Sequence, residues 1–176
     1  MSEQMEKTTA WRERIPVFIA ITTLLLAACA TLASFKAGGY GNRMVLAQNQ
    51  ASDQWAYYQA KSIKETQYQV ARDTLATASP EPRTETVKQQ LLAFEKEVKR
   101  YKEEKNEIAE AAKKLEADRD KAREYNGAFG QALMFLQVGI LLSSLATINK
   151  TNAYWYAGMS VGTVGIGYFV YALFFL

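Results

Sequence analysis

The sequence predicts an all-α membrane protein: three transmembrane helices, with a long antiparallel, coiled-coil-like helical hairpin between the first and second spans. Three observations carry this. Charge is missing from three long apolar runs at the two ends of the 176-residue chain, the middle mixes Lys, Arg, Glu and Asp densely, and one break, ASPEPRTE, cuts that middle in two. A mean hydropathy near zero therefore averages two unlike halves.

Residues 1–14 read as a polar N-terminal tail. From Ile15 to Phe35, IPVFIAITTLLLAACATLASF holds no charge between Arg14 and Lys36. As a helix it crosses the roughly 30 Å of a bilayer's hydrocarbon core. The LAAC at Leu26–Cys29 follows a basic and then an apolar stretch, as in a lipoprotein signal peptide. Apolar residues continue past Cys29 and fill a whole span, so the segment reads as an uncleaved helix.

Lys36–Arg43, KAGGYGNR, carries three glycines and is expected to break the helix as a hinge. Its GYG is no ion filter, because it follows Lys36 rather than lying at membrane depth. The extramembrane hairpin is placed at 44–125. Its first arm lacks Gly and Pro as far as Thr77 and is rich in Ala, Gln, Lys and Arg, which favours one helix. Pro80 and Pro82 end that helix near 78–84, since proline blocks a helix interior and restricts the residue before it. Thr84 as N-cap, or Pro82 in the first turn, starts the next.

In that next helix, alternate steps of four and three pick out Val87, Leu91, Phe94, Val98, Tyr101, Lys105, Ile108, Ala112, Leu115, Arg119, Ala122, Asn126 and Phe129. Such a heptad seam between charged flanks is the mark of paired helices. The step continues through Leu133, Leu136, Ile140 and Ser143 into the second span, 126–149. On the first arm the corresponding seam is read as Leu46, Asn49, Asp53, Ala56, Ala60, Ile63, Gln67, Val70 and Thr74, facing the second arm. The arms extend on the order of 50 Å. A short loop, 150–153, leads to the third span, 154–176, whose Tyr154, Trp155 and Tyr156 suit a membrane interface.

Small residues form stripes that allow close helix approach in lipid: Ala20, Thr23, Ala27, Ala30 and Ser34 in the first span, Gly158, Gly162 and Gly165 in the third. They serve either packing within one chain or contact between copies. Gln137, an amide near the middle of the second span, is expected to face protein or its own copy, because hydrocarbon offers it no partner. Between Met44 and Ala60 the only charge is Asp53. Ala51, Trp55, Tyr58 and Ser62 form a second flank there, read as an interface between copies in which aromatics supply contact area. The alternatives are packing inside one chain and a small-molecule site.

SFKAGGYGNRMVLAQNQASDQWAYYQAKSIKETQY resembles a family of bacterial inner-membrane proteins catalogued only as a domain of unknown function, in which an ASDQWAYYQAKSIK-like segment follows the first span and a glycine-bearing linker. The resemblance covers nearly the whole chain. It implies a bacterial cytoplasmic membrane location and supplies no activity or site.

The inventory narrows function. There is no His and one Cys, so a disulfide framework, a Cys/His zinc site and histidine acid–base catalysis are excluded. Net charge is +3 with both signs interspersed, which is no nucleic-acid footprint. Glu103, Glu107 and Glu110 sit among lysines at helical spacing, as on a salt-bridged face. No catalytic, cofactor or metal residues are expected. The expected partners are the bilayer, further copies of the chain and an unidentified protein reached through the hairpin. The favoured role is a self-assembling, non-enzymatic membrane scaffold; the alternative is a passive channel with a polar path past Gln137. Lys7, Arg12, Arg14 and Lys150 favour a cytoplasmic N-terminus with the hairpin on the periplasmic side, although Lys113, Lys114, Arg119, Lys121 and Arg123 flank the second span on the other side.

Overall fold

The computed structural model describes residues 2–79, 81 and 84–176, with side chains from Ile15 onward. The expected helix breakers Pro80 and Pro82, and the side chains of Lys7, Arg12 and Arg14, lie outside the described residues. The chain is all-helical: α1 is Ser2–Ala78, α2 Glu85–Asn149 and α3 Asn152–Phe174. All three are long and apolar enough to cross a membrane. They are organised as two units, one comprising Met1–Arg43 with Lys121–Leu176, the other Met44–Asp120.

In the Met44–Asp120 unit α1 and α2 pack against each other antiparallel. Gln48 meets Arg119, Trp55 meets Glu116, Lys61 meets Glu104, and Tyr68 stacks on Tyr101, so residue numbers rise on one helix as they fall on the other. The face that α2 presents is the one its heptad indicates, with Tyr101, Ile108 and Ala112 buried. The Thr84 carbonyl accepts the Lys88 N–H, which puts Thr84 at the cap position of α2.

The face of α1 differs from expectation. Leu46, Asn49, Asp53, Ala56, Ala60, Ile63, Gln67, Val70 and Thr74 are all exposed. The helix instead turns inward Ala47, Ala51, Trp55, Tyr58, Lys61, Glu65 and Tyr68, again at steps of three and four. A two-helix seam is thin, and a residue in it must reach across. Tyr, Lys and Glu do so with apolar stems and pair at their tips, whereas Ile63 and Val70 are shorter and offer no such pairing.

The other unit has its core at Leu26, Ala30, Ala33, Ala132 and Leu136, with Cys29, Leu133, Ile140 and Phe169 packed around it. Phe129 is buried between Tyr40, which stacks on it, and Phe169, which meets it edge-on. Trp155 donates its indole N–H to the Thr22 hydroxyl at 3.1 Å, tying the start of α3 to α1. The expected glycine hinge at 36–43 is helical, and no described glycine has a positive φ. Each helical glycine costs about 1 kcal/mol against alanine, but here the stretch is held by neighbours. Tyr40 stacks on Tyr125 at a centroid distance of 4.5 Å, and Asn126 donates from Nδ2 to the Ala37 carbonyl at 2.7 Å. Gly41 leaves room for that amide, since a Cβ there would come within 3.1 Å of Nδ2.

The α2–α3 turn is closed without glycine. Lys150 takes φ 51°, and the Thr151 N–H reaches back to the Ala146 carbonyl at 3.3 Å. This is the Schellman arrangement, in which the residue after the helix is left-handed and the next N–H bonds the carbonyl five residues back.

Candidate functional site

The inner seam of the α1–α2 pair is built from charges held among aromatic rings. Lys61 Nζ lies 2.6 Å from Glu104 Oε2, and Lys105 Nζ lies 2.5 Å from Glu65 Oε2. Glu65 is buried, and both lysine side chains are largely covered. Lys61 sits over the rings of Tyr57 and Tyr101, Lys105 over Tyr58 and within 3.4 Å of the Ser62 hydroxyl. Cation–ring contact and ion pairing thus support the same ammonium groups. The hydrogen bond to Glu104 holds the Lys61 ammonium above its ordinary value. The same bond, with the charges of Lys61, Arg100 and Lys64 nearby, holds the Glu104 carboxyl below its ordinary value.

This seam absorbs the flank read as an interface between copies. Ala51 is 1% exposed, Trp55 donates from Nε1 to Glu116 Oε1 at 2.9 Å, and Tyr58 and Ser62 face Lys105. Trp55, Tyr58 and Ser62 therefore contact α2 of the same chain and Ala51 is buried, as the alternative of packing inside one chain has it. The aromatics there work as ring walls around paired charges.

What remains open on α1 is the opposite stripe. Leu46, Ile63 and Val70 are 58, 60 and 58% exposed. Ser62, Ile63, Thr66, Gln67, Val70 and Ala71 line a shallow surface groove of about 500 Å³. Along the stripe from Leu46 to Thr74 the one charge is Asp53. The outer face of α2 is the contrary: its Lys113–Glu110 and Arg100–Glu97 pairs belong to a solvated, salt-bridged surface of mixed sign.

In the other unit Gly158, Gly162 and Gly165 are buried against neighbours in the same chain. A Cβ on Gly158 would lie 2.7 Å from Ser143 Oγ and 2.8 Å from the Gly139 carbonyl, and one on Gly139 would lie 2.9 Å from the Gly158 carbonyl. The backbones of α2 and α3 are thus in direct contact, the geometry in which Cα–H groups face carbonyl oxygens. Gly162 faces the tip of Leu26, and Gly165 faces Leu136 and Ala132. The stripe on α1 divides: Ala30 is in the core, Ser34 is exposed, and Ala20, Thr23 and Ala27 line an open groove with Ser144 and Thr147 of α2. Gln137, expected to face protein or its own copy, is exposed in the single chain. The inward face of α2 is taken by Leu136 and Gly139, and one residue along a helix turns about 100°.

Among the described residues, no group of three or more His, Cys, Asp or Glu side chains is gathered to hold a metal ion. The described residues present a covered charged seam and an uncovered, nearly neutral stripe. Sequence reasoning missed the seam. Its signal was present in the opposed charges Lys61/Glu65 and Glu104/Lys105, which come level when the arms are laid antiparallel about the proline break. The family model described as Domain of unknown function (DUF4337) matches residues 16–175. No curated protein and no solved structure matches the chain.

Proposed function

The chain belongs to that family of unknown function, and from this premise we propose that it is a non-enzymatic, bilayer-embedded protein that self-assembles and presents its α1–α2 pair as an interaction surface. The observation that carries this is the exposed stripe of α1, which is apolar or uncharged except for Asp53, beside a mixed-charge α2 surface. Monomeric soluble surfaces seldom leave such a continuous stripe uncovered. The acidic side chains of the seam are engaged by lysines, which favours a structural use for them over catalysis. In this proposal all three helices cross the cytoplasmic membrane of a bacterium. Lys7, Arg12, Arg14 and Lys150 keep the N-terminus cytoplasmic, and the 44–120 pair lies in the periplasm. Native mass spectrometry from mild detergent tests self-assembly: oligomers support it, and monomer alone overturns it. Membrane-impermeant labelling of Thr84→Cys in a Cys29→Ser background, in intact cells, tests the orientation; labelling only after lysis reverses it.

One observation favours a second reading. Gln137 exposes an amide within an uncharged run, where another copy's Gln137 is the natural hydrogen-bond partner. Copies gathered around it would line a passive polar path. Unchanged conductance in Gln137→Leu would count against that path.

A further inference from the structure

We infer that the occupant of the outer stripe of α1 is the same stripe of a second copy, running parallel and in register. The inference rests on the self-assembling, bilayer-embedded reading above, and it names the partner. The stripe repeats at steps of three and four from Leu46 to Val70 through Asn49, Asp53, Ala56, Ala60, Ile63 and Gln67, and every one of these is exposed. That repeat is the seam of a helix pair, and the seam that α1 shares with α2 lies on its other side.

Three features select a copy over another protein. Copies inserted in one bilayer share one direction and one depth, so equal residues of their α1 helices stand level at no further cost. Asn49 and Gln67 carry amides that both donate and accept, so each satisfies its own counterpart across such a seam, and an amide in a heptad core position favours a single register. The flanking positions bring no like charges together: in a parallel pair Gln59 falls beside Lys64 of the second copy, and Ser52 beside Tyr57. A partner recognised by charge would find almost nothing to read on this face.

One residue opposes the arrangement and so distinguishes it. Asp53 stands level with Asp53 of the second copy, a like-charge pair that weakens association. With a basic partner the same carboxylate would be attractive. Replacing it therefore has opposite effects for the two occupants.

The test uses the full chain in native membranes and in mild detergent. In a Cys29→Ser background, Ile63→Cys is oxidised and its disulfide-linked dimer measured, with exposed Lys99→Cys on α2 as reference. The dimer is expected for Ile63→Cys and not for Lys99→Cys. Asp53→Asn is expected to lower the dissociation constant by about five-fold, and Ile63→Asp with Val70→Asp to raise it at least ten-fold while helical content is kept. If wild-type chain assembles but Ile63→Cys does not cross-link and Asp53→Asn leaves assembly unchanged or weaker, the inference is overturned and the self-assembly reading stands. If a basic second protein occupies the stripe and is lost in Asp53→Asn, the inference is likewise overturned. Wild-type chain found only as monomer overturns both.

Discussion

Gly158→Ala places a methyl group 2.7 Å from Ser143 Oγ, 2.8 Å from the Gly139 carbonyl oxygen and 3.0 Å from the Ser143 backbone nitrogen. Two of these neighbours are backbone atoms of α2, so no rotation of a side chain relieves the crowding and the helices must move apart. Overpacking of this kind costs about 1–3 kcal/mol. Alanine returns up to about 1 kcal/mol through its better helix preference, leaving a net loss of about 1–2 kcal/mol. For a chain of this size that lowers the melting temperature by roughly 2–8 °C. Two sister variants make the reasoning testable within one experiment. At Gly162 the three nearest neighbours of the added methyl are side-chain atoms of Leu26, at 2.7, 2.9 and 3.4 Å, and a side chain yields more readily than backbone. At Gly167 nothing lies within 4 Å, so alanine there should be neutral or stabilising. Thermal melting of the helical circular dichroism signal in mild detergent should rank stability as Gly167→Ala above Gly162→Ala above Gly158→Ala. Gly158→Ala melting at or above wild type would show that the α2–α3 backbone contact is not what limits stability.

Glu104, held below its ordinary value of 4.5, contributes stability above that pH and loses it as pH falls through its folded-state value; Lys61, held above 10.5, contributes below that pH and loses it as pH rises through its own. Melting should therefore weaken on acidification below about pH 4.5 and again in strong alkali, and the acid step should shrink in Lys61→Met/Glu104→Leu. Glu104→Leu alone should melt lower than that double variant, because it leaves a covered lysine unpaired. Asn126→Leu, which removes the donor to the Ala37 carbonyl, should cost about 1 kcal/mol and speed amide exchange around Gly38–Gly41, and unaltered exchange there would count against a bracing role for that bond. Lys150→Gly relieves a left-handed lysine and should raise stability by about 1 kcal/mol, read in the same melts.

Much of the helix plan was legible in the chain itself. Charge-free runs, a proline break and a heptad at Val87–Phe129 mark where three helices lie and which side of α2 turns inward, because these signals are local and repeated. The same logic failed on α1. Weight placed on Ile63 and Val70 pointed the helix the wrong way, and the flank around Trp55, read as an interface between copies, has its indole N–H donated to Glu116 of α2. The glycines of KAGGYGNR misled for a related reason: their intrinsic cost is local, but the stacking of Tyr40 on Tyr125 and the bond from Asn126 that hold the helix come from α2.

Three long helices and their apolar runs are written in the chain, since backbone preference and absence of charge act residue by residue. Which faces meet depends on the packed chain. Lys61 and Glu65 are tolerable in a seam solely because Glu104 and Lys105 stand opposite, and Gly158 matters solely because Gly139 and Ser143 do. Those are pairings between residues distant along the chain, and they leave the stripe from Leu46 to Thr74 as the surface that α2 does not cover.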